Sequence, residues 1–288
     1  MTASRYGPRV FRIMGVVNVT PDSFSDGGDF LDRDAAIRHG LRLASEGADL
    51  LDVGGESTRP GADPVTEREE RHRVIGVIEG IRAQNPAVRI SIDTSKAAVA
   101  AAALDAGADY VNDVTALRGD PEMAALVAER GVDVCLMHML GTPRTMQAEA
   151  RYGDVVDDVR AFLAERIEAA VAAGIALERI EVDPGIGFAK TLEHNLDLLC
   201  RLRELTALER PIVLGTSRKS FLGRITGRET AERVPGTLAT VVMGLERGAR
   251  VFRVHDVAPA RDALLVAAAT LLRMPASAPS SVSNPART

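Results

Sequence analysis

The sequence lacks several features on which whole classes of protein depend. It has no tryptophan, only 3% aromatic residues and two cysteines in 288 residues. No apolar run approaches the ~18 residues that suggest a membrane-spanning helix, and residues 1–9 lack the apolar stretch of a secretory signal. Cys135 and Cys200 lie in apolar runs without Cys-x-x-Cys spacing, so we expect two buried free thiols. We therefore expect a cytoplasmic protein without disulfides.

Charge of one sign is not concentrated along the chain. The formal net charge is −5, and Lys and Arg are spread rather than clustered, which argues against partners such as nucleic acid or a membrane surface. His, Cys and Asp nowhere show the spacing of a zinc site, so we expect no transition metal. The chain does have an ordinary globular balance, with 46% hydrophobic and 26% charged residues, and this can bury a core without metals or disulfides.

Short β-branched apolar runs alternate with longer helical stretches, a pattern that predicts βα units around a parallel sheet. Gly47, Gly107 and Gly248 each stand where a predicted helix ends before the next strand, which indicates short αβ connections. We count eight predicted strands, at residues 10–17, 49–53, 88–92, 110–111, 132–137, 180–182, 211–214 and 250–254. Eight units predict an α/β fold of the (β/α)₈ TIM-barrel type.

One barrel domain would occupy residues 10–274, after an N-terminal extension at 1–9. The Ser-, Pro- and Ala-rich residues 275–288 predict a disordered tail. A doubly wound sheet would also explain the alternation, but it gathers its ligand at one switch point. Here polar groups follow all eight strands, as expected at the carboxyl end of a barrel.

Several of these polar residues suit a flat, nitrogen-rich ring. A carboxylate such as Asp93 or Asp183 can accept two parallel N–H bonds, and the amide of Asn112 both donates and accepts. Each could instead cap the following helix, Asp93 above all. Asn18 offers the neutral oxygen that Mg²⁺ accepts beside waters and phosphates, although a turn-stabilising Asn is the alternative.

Other polar residues suit an anion. Lys219 and Ser220 follow the seventh strand, where barrels often bind phosphate, and a solvated charge run is the alternative. Arg253 and His255 lie two apart in an extended segment, so their side chains share one side and could hold one anion. His138 is as well explained by a histidine packed in the barrel wall as by a catalytic base.

Together these segments resemble the dihydropteroate synthase family over residues 14–257. The matching motifs are NVTPDSFSDGG at 18–28, GGESTRPG at 54–61, SIDT at 91–94, ND at 112–113, DPGIGF at 183–188, SRK at 217–219 and RVHD at 253–256.

The resemblance implies which residues bind which group. Asp93, Asn112, Asp183 and Lys219 would hold a pterin ring, with Met137 in the adjoining wall. Asn18, Arg253 and His255 would hold its pyrophosphate with Mg²⁺. A p-aminobenzoate pocket, which sulfonamides would mimic, would be formed by Thr58, Pro60, Phe188, Lys219 and Ser220.

The resemblance also implies the reaction, in which pyrophosphate departs, the pterin methylene becomes cationic and the arylamine nitrogen attacks it. Asp22 or Asp26 could shield or stabilise that cation, and the sequence does not decide between them. The family expectation is a homodimer. No enzyme nucleophile is needed, which fits the lack of a Ser/His/Asp or Cys/His arrangement.

Three alternatives remain open at this point. A methyltransferase acting on methyltetrahydrofolate would share the ring-binding acids but should lack the first-loop motif and the pyrophosphate set. A phosphosugar isomerase or aldolase would need a general base or a Schiff-base lysine at a strand end, and Lys219 is the one lysine so placed. A pterin-binding paralogue without turnover would be expected to have lost parts of the two long loops at residues 18–28 and 54–61, and the sequence shows no such losses.

Overall fold

The computed structural model describes residues 10–19, 28–57, 62–141 and 150–271, with the backbone alone for residues 28–32. Its strands are β1 (Arg12–Asn18), β2 (Leu50–Gly54), β3 (Arg89–Asp93), β4 (Tyr110–Asp113), β5 (Asp133–Met137), β6 (Ile180–Asp183), β7 (Ile212–Leu214) and β8 (Ala249–Val254). Each strand pairs in parallel with the next, and β8 pairs with β1 to close the barrel. The predicted (β/α)₈ barrel is confirmed.

Helices follow the strands and surround the barrel. They are α1 (Gly28–Ser45), α2 (Glu67–Gln84), α3 (Ala97–Asp105), α4 (Met123–Arg130), α5 (Val155–Ala172), α6 (Leu192–Cys200), α7 (Ser220–Thr226), α8 (Val234–Glu246) and α9 (Val257–Leu271). Helix α2 shows why they pack there, since Val74, Val77, Ile78 and Ile81 recur at helical spacing and are all fully buried in the core between helices and strands.

The short αβ connections predicted from glycine are confirmed. Gly47, Gly107 and Gly248 have φ angles of 104°, 108° and 104°, in the region that side chains other than glycine rarely adopt. The chain can therefore leave each helix and enter the next strand within a few residues.

Five strands, β1 to β4 and β6, run one or two residues further than predicted at their carboxyl ends, and the other three end as predicted. Asn18, Asp93 and Asp183 are the last residues of their strands rather than the first residues of loops. Asn18 is paired in register with Gly54, and Asp93 with Asn112. Ladder pairing therefore fixes the backbone of these polar residues.

The inside of the barrel divides into two halves. Toward the amino ends of the strands, Met14, Leu50 and Tyr110 belong to a fully buried apolar cluster. Beside it the Tyr110 hydroxyl donates to Glu181 at 2.9 Å, and Arg12 forms an ion pair with the same carboxylate. This half is packed, so a ligand can be held only at the opposite end.

Two further expectations concern the surface. Cys135 is buried but Cys200, the last residue of α6, is exposed, so the prediction of two buried thiols is wrong for Cys200. The helix ends there, and its last side chain is left in solvent. Within the described ranges, no helix combines the length and apolar character needed to cross a bilayer. The predicted extension at 1–9 and tail at 275–288 lie outside the described residues.

Candidate active site

Inward-facing positions at the carboxyl ends of the strands carry the candidate residues. Side chains alternate between the two faces of a strand, so the residue two positions after an inward apolar residue also points inward. Asn112 thus follows Tyr110, Met137 follows Cys135, and Arg253 follows Val251. The inward positions of this end comprise Asn18, Asp52, Ser91, Asp93, Asn112, Met137, Asp183 and Arg253.

Arg253 links two strands across the barrel mouth. Its Nε donates to Asp52 Oδ2 at 2.6 Å and its Nη2 to Asp93 Oδ2 at 2.7 Å. Asp93 therefore bonds to Arg253, whereas helix α3 has Lys96 as its N-cap with no side-chain capping bond. Helix capping, the alternative left open for Asp93, is not what the structure shows.

Asp52 is a residue that the sequence analysis missed. It is fully buried and also accepts hydrogen bonds from Ser91 Oγ at 2.6 Å and Asn112 Nδ2 at 3.1 Å. It orients Asn112 as well as Arg253. The only sign of Asp52 in the sequence is one acidic residue inside the otherwise apolar strand Leu-Leu-Asp-Val-Gly. A residue in the middle of such a strand is easily taken for part of the core, so it was not predicted as a site residue.

Asp183, Lys219 and Arg253 converge around Gly215. A Cβ built there would lie 3.8 Å from Asp183 Oδ2, 3.9 Å from Lys219 Nζ and 3.8 Å from Arg253 Cβ. Asp183 Oδ1 accepts from the backbone N–H of Gly185 at 2.7 Å. The absence of a side chain at Gly215 therefore leaves room between the Lys219 amine, the Asp183 carboxylate and the base of the Arg253 side chain.

Lys219 also contacts the loop after β6. Its Nζ donates to the carbonyl of Ile186 and lies 4.7 Å from the centroid of the Phe188 ring. Phe188 is partly exposed, and Ser220 is exposed at the first position of α7. Lys219 and Phe188 thus form one side of the site, and Ser220 directly follows Lys219 in the chain.

Two of these groups titrate near neutrality. Burial raises the pKa of Asp93 to about 7, because burial and the neighbouring Asp52 carboxylate outweigh the opposing effect of Arg253. Burial lowers the pKa of Lys219 to about 8 in spite of Asp183, and Arg253 lowers it further. Burial also raises the pKa of Asp183.

A separate corner joins the ends of β7 and β8. Ser217 Oγ accepts from the backbone N–H of His255 at 3.2 Å and lies 3.0 Å from its Nδ1. Arg218 forms a two-point ion pair with Asp256, at 2.9 and 2.5 Å. These contacts fix the His255 ring next to the strand that carries Arg253.

His138 has the character of a wall residue. It is buried, its ring packs edge-on against Phe162 at 4.8 Å, and its Nδ1 lies 2.9 Å from Lys190 Nζ. Burial and the nearby Lys190 lower the pKa of His138 to about 2, so it would be a poor base near neutral pH. Lys190 was not among the residues predicted from the sequence.

Other candidate residues have local roles or cannot be placed. Asp113 accepts from the backbone N–H of Thr115 at 2.7 Å and of Leu117 at 3.0 Å, so it stabilises the turn after β4. Asp22, Thr58 and Pro60 lie outside the described residues.

Asn18 is the candidate metal ligand, and it is partly buried at the end of β1. Among the described residues, no group of three or more His, Cys, Asp and Glu side chains could hold a metal. A single neutral amide oxygen suits Mg²⁺, which commonly keeps several waters and takes further ligands from phosphate. The donor set therefore fits a magnesium ion that arrives with a phosphorylated substrate.

Comparison with known proteins gives one family. The model of the family described as pterin binding enzyme matches residues 14–255. Dihydropteroate synthase of Mycobacterium leprae is 48% identical over 273 residues, covering 90% of this chain and 93% of its own.

Solved structures agree. Dihydropteroate synthase of Xanthomonas albilineans with 4-aminobenzoic acid is 52% identical, has a TM-score of 0.84 and is matched over 88% of this chain and 91% of its own. The Yersinia pestis synthase, in complex with a sulfonamide drug, is 44% identical with a TM-score of 0.86 over 94% of this chain and 98% of its own. This chain belongs to the pterin-binding enzymes and, among them, to the dihydropteroate synthases, which are transferases of folate biosynthesis.

Proposed function

We propose that the carboxyl end of this barrel condenses 6-hydroxymethyl-7,8-dihydropterin pyrophosphate with p-aminobenzoate to give 7,8-dihydropteroate and pyrophosphate. The observation that carries the proposal is the convergence of Asp93, Asn112, Asp183, Lys219 and Arg253 at one end of a barrel whose other end is packed.

The pterin would lie against the acids and the amide. The carboxylate of Asp183 accepts paired N–H bonds from the aminopyrimidine edge, and Asp93 and Asn112 hold the remaining polar edge. Lys219 donates to the ring carbonyl, and Met137 packs in the wall, where it is 4% exposed. Buried polar partners would favour this ring over one that lacks the matching groups.

The pyrophosphate would lie toward β1 and β8. Asn18 would hold a magnesium ion, which would supply charge neutralisation for the leaving group when bound. Burial lowers the pKa of Arg253, but the carboxylates of Asp52 and Asp93 raise it by more, so the net shift is upward. Arg253 therefore keeps its positive charge. Arg253 and His255 thus stabilise the negative charge that develops on the departing oxygen.

The arylamine would enter between the loops. Its nitrogen attacks the pterin methylene carbon as the bond to the pyrophosphate oxygen breaks, and the nitrogen then loses a proton to solvent or to the pyrophosphate. Phe188, Lys219 and Ser220 form the described part of its pocket, to which Thr58 and Pro60 would add. Asp22 would stabilise the cationic methylene. Positioning and charge stabilisation account for catalysis without an enzyme nucleophile.

The proposal extends to oligomeric state, location and inhibitors. We expect a homodimer in the cytoplasm, with sulfonamides competing for the arylamine pocket. Neither a non-catalytic paralogue nor a methyltransferase needs the group of anion-binding residues Asn18, Arg253 and His255.

The test is pyrophosphate release by purified protein given the dihydropterin pyrophosphate and Mg²⁺, with and without p-aminobenzoate. We expect arylamine-dependent release with dihydropteroate formed in equal amount. Removing Mg²⁺ with a chelator should slow the reaction and be reversed by adding Mg²⁺ back. Folded protein that binds the pterin but forms no product would overturn the proposal in favour of a binding paralogue.

A further inference from the structure

Lys190 is a buried lysine that the proposed reaction does not use. It is 3% exposed, and its Nζ lies 2.9 Å from His138 Nδ1 and 2.9 Å from the carbonyl oxygen of Phe188. The carbonyl of His138 is a third, longer contact at 3.5 Å. The amine thus joins the end of β5 to the loop that follows β6.

The contacts of Lys190 require only that it donates hydrogen bonds. Burial lowers the pKa of Lys190 well below the ordinary value, with Asp183 opposing and Lys219 reinforcing the shift. The amine can donate to both short contacts whether or not it is charged. The lowered pKa of His138 leaves its ring neutral near pH 7, so Nδ1 accepts from Lys190 and the other ring nitrogen carries the proton.

The loop tied down by Lys190 bears Phe188. Residues 185–189 turn back sharply, with the Phe188 N–H bonded to the Gly185 carbonyl at 3.0 Å. A Cβ at Gly185 would lie only 1.9 Å from the His138 carbonyl oxygen, so the turn packs directly on the end of β5. The Lys190 amine holds the far side of this turn by its bond to the Phe188 carbonyl.

Asp183, at the near side of the turn, has separate supports. Its carboxylate is bonded by the Gly185 N–H at 2.7 Å, and its backbone carbonyl accepts from the His138 N–H at 2.9 Å. Loss of the Lys190 amine would therefore displace Phe188 more than Asp183.

We propose that Lys190 is a positioning residue for the arylamine step: by bonding His138 and the Phe188 carbonyl, it fixes the Phe188 ring where the arylamine stacks. The inference rests on the proposed function, because it takes the arylamine pocket to include Phe188. It assigns a specificity role to a residue that contacts neither substrate.

The first experiment compares Lys190→Met with the wild type. Methionine keeps the length and the apolar stem but removes the amine. We expect the KM for p-aminobenzoate to rise about tenfold, the scale of one lost hydrogen bond. The Kd of 6-hydroxymethylpterin, measured by titration calorimetry without the arylamine, should stay within about twofold, since Asp183 keeps its own contacts.

A matched pair at His138 gives a second readout. His138→Asn keeps an acceptor near the position of Nδ1, whereas His138→Leu removes it. We expect the leucine variant to raise the KM for p-aminobenzoate and the asparagine variant to restore much of the loss. This pair keeps the inference testable if Lys190→Met does not fold.

Phe188→Leu separates the inference from the proposed function. If Phe188→Leu raises the KM for p-aminobenzoate but Lys190→Met and His138→Leu do not, the inference about Lys190 is wrong and the pocket assignment stands. If Phe188→Leu leaves that KM unchanged, the pocket assignment fails and the inference fails with it. Parallel losses of pterin affinity and arylamine KM in Lys190→Met would indicate a general structural role and overturn the inference.

Discussion

At the scale of single residues, Asp93 and Lys219 decide how the site responds to pH. The pKa of Asp93 is about 7 and that of Lys219 about 8. Below the first value Asp93 is protonated and loses the negative charge that strengthens its hydrogen bond to a ring N–H, and above the second Lys219 has lost its positive charge. The pterin should therefore bind best in the window between them.

We predict a bell-shaped pH dependence for pterin affinity, rising through about pH 7 and falling through about pH 8. Calorimetric titration with 6-hydroxymethylpterin from about pH 5 to about pH 10 measures it. The ligand's own titration must be measured separately and subtracted. A flat profile would contradict the assignment of Asp93 and Lys219 to the pterin.

Asp52→Asn provides the control for the acidic limb. The Asp52 carboxylate helps to raise the pKa of Asp93, so its neutralisation should move that limb to lower pH by roughly one unit. The amide oxygen of asparagine can still accept from Arg253. An unchanged limb would show that Asp93 does not set it.

The residues predicted from sequence and those missed differ in a physical way. Asp93 and Asp183 end their strands and Asn112 is the last but one residue of β4, so the polarity change there is visible in the sequence. Asp52 lies inside the apolar strand β2, two residues before the end of that strand. Its importance follows only from its contact with Arg253 across the barrel. In the sequence Lys190 resembles an ordinary surface lysine. It is buried only because of the turn that precedes it, and that turn is not evident from the sequence.

At the scale of elements, the turn after β6 is the most constrained connection of the site. Gly185 has a φ of 68°, and any side chain there would meet the His138 carbonyl. Gly227, at the end of α7, has a similar φ of 71° but nothing within 4 Å of a built Cβ. A side chain at Gly227 would cause backbone strain alone, whereas a side chain at Gly185 would cause both backbone strain and a steric clash.

We predict that Gly227→Ala lowers the free energy of unfolding by about 1 kcal/mol, the cost of a left-handed alanine. Gly185→Ala should cost more than about 3 kcal/mol, or displace the turn and abolish pterin binding, because strain and overpacking add. Urea unfolding and pterin titration measure both. Equal effects of the two substitutions would mean that the turn yields easily.

Element boundaries show what the sequence could and could not specify. The eight strands and the glycine-terminated helices were predictable because β-branched runs and Gly47, Gly107 and Gly248 are local signals. The strand ends were placed too early, since Asn18 and Asp183 are polar and loop-like in composition. Pairing with neighbouring strands, which is not local, keeps them in the sheet.

At the scale of the whole molecule, the barrel separates stability from chemistry along its axis. The buried group of Arg12, Tyr110 and Glu181 lies in the packed half, away from the polar residues at the carboxyl ends. Different residues of the same strands therefore stabilise the fold and carry out the reaction.

We predict that Glu181→Ala destabilises the protein by about 3 kcal/mol, because it removes the buried carboxylate that pairs with Arg12 and accepts a hydrogen bond from the buried Tyr110 hydroxyl. The KM values of the folded variant should stay within about twofold of wild type. Asp157→Ala, which breaks the exposed pair with Arg160, is the matched control and should cost under about 1 kcal/mol. Thermal unfolding and steady-state kinetics test both. A large change in KM for folded Glu181→Ala protein would contradict the separation.

The whole fold was predictable because each βα unit is recognisable from local sequence, and eight such units are typical of a (β/α)₈ barrel. The placement of the site at one end also followed from sequence, since polar residues gather after the strands. The salt-bridged cluster around Arg253 was not predictable, because it joins β2, β3 and β8, whose spacing in the chain says nothing about which carboxylate an arginine will contact.

Closure of the barrel has a consequence for biosynthesis. Strand β1 pairs with β2 on one side and with β8 on the other, at Arg12 with Val251 and Met14 with Arg253. During translation the first strand therefore waits with one open edge until nearly the whole chain has left the ribosome. Until then Asp52 and Asp93 also lack the guanidinium that neutralises them. Because an open strand edge is a template for wrong pairing, we expect the growing chain to be more prone to aggregation than the finished barrel.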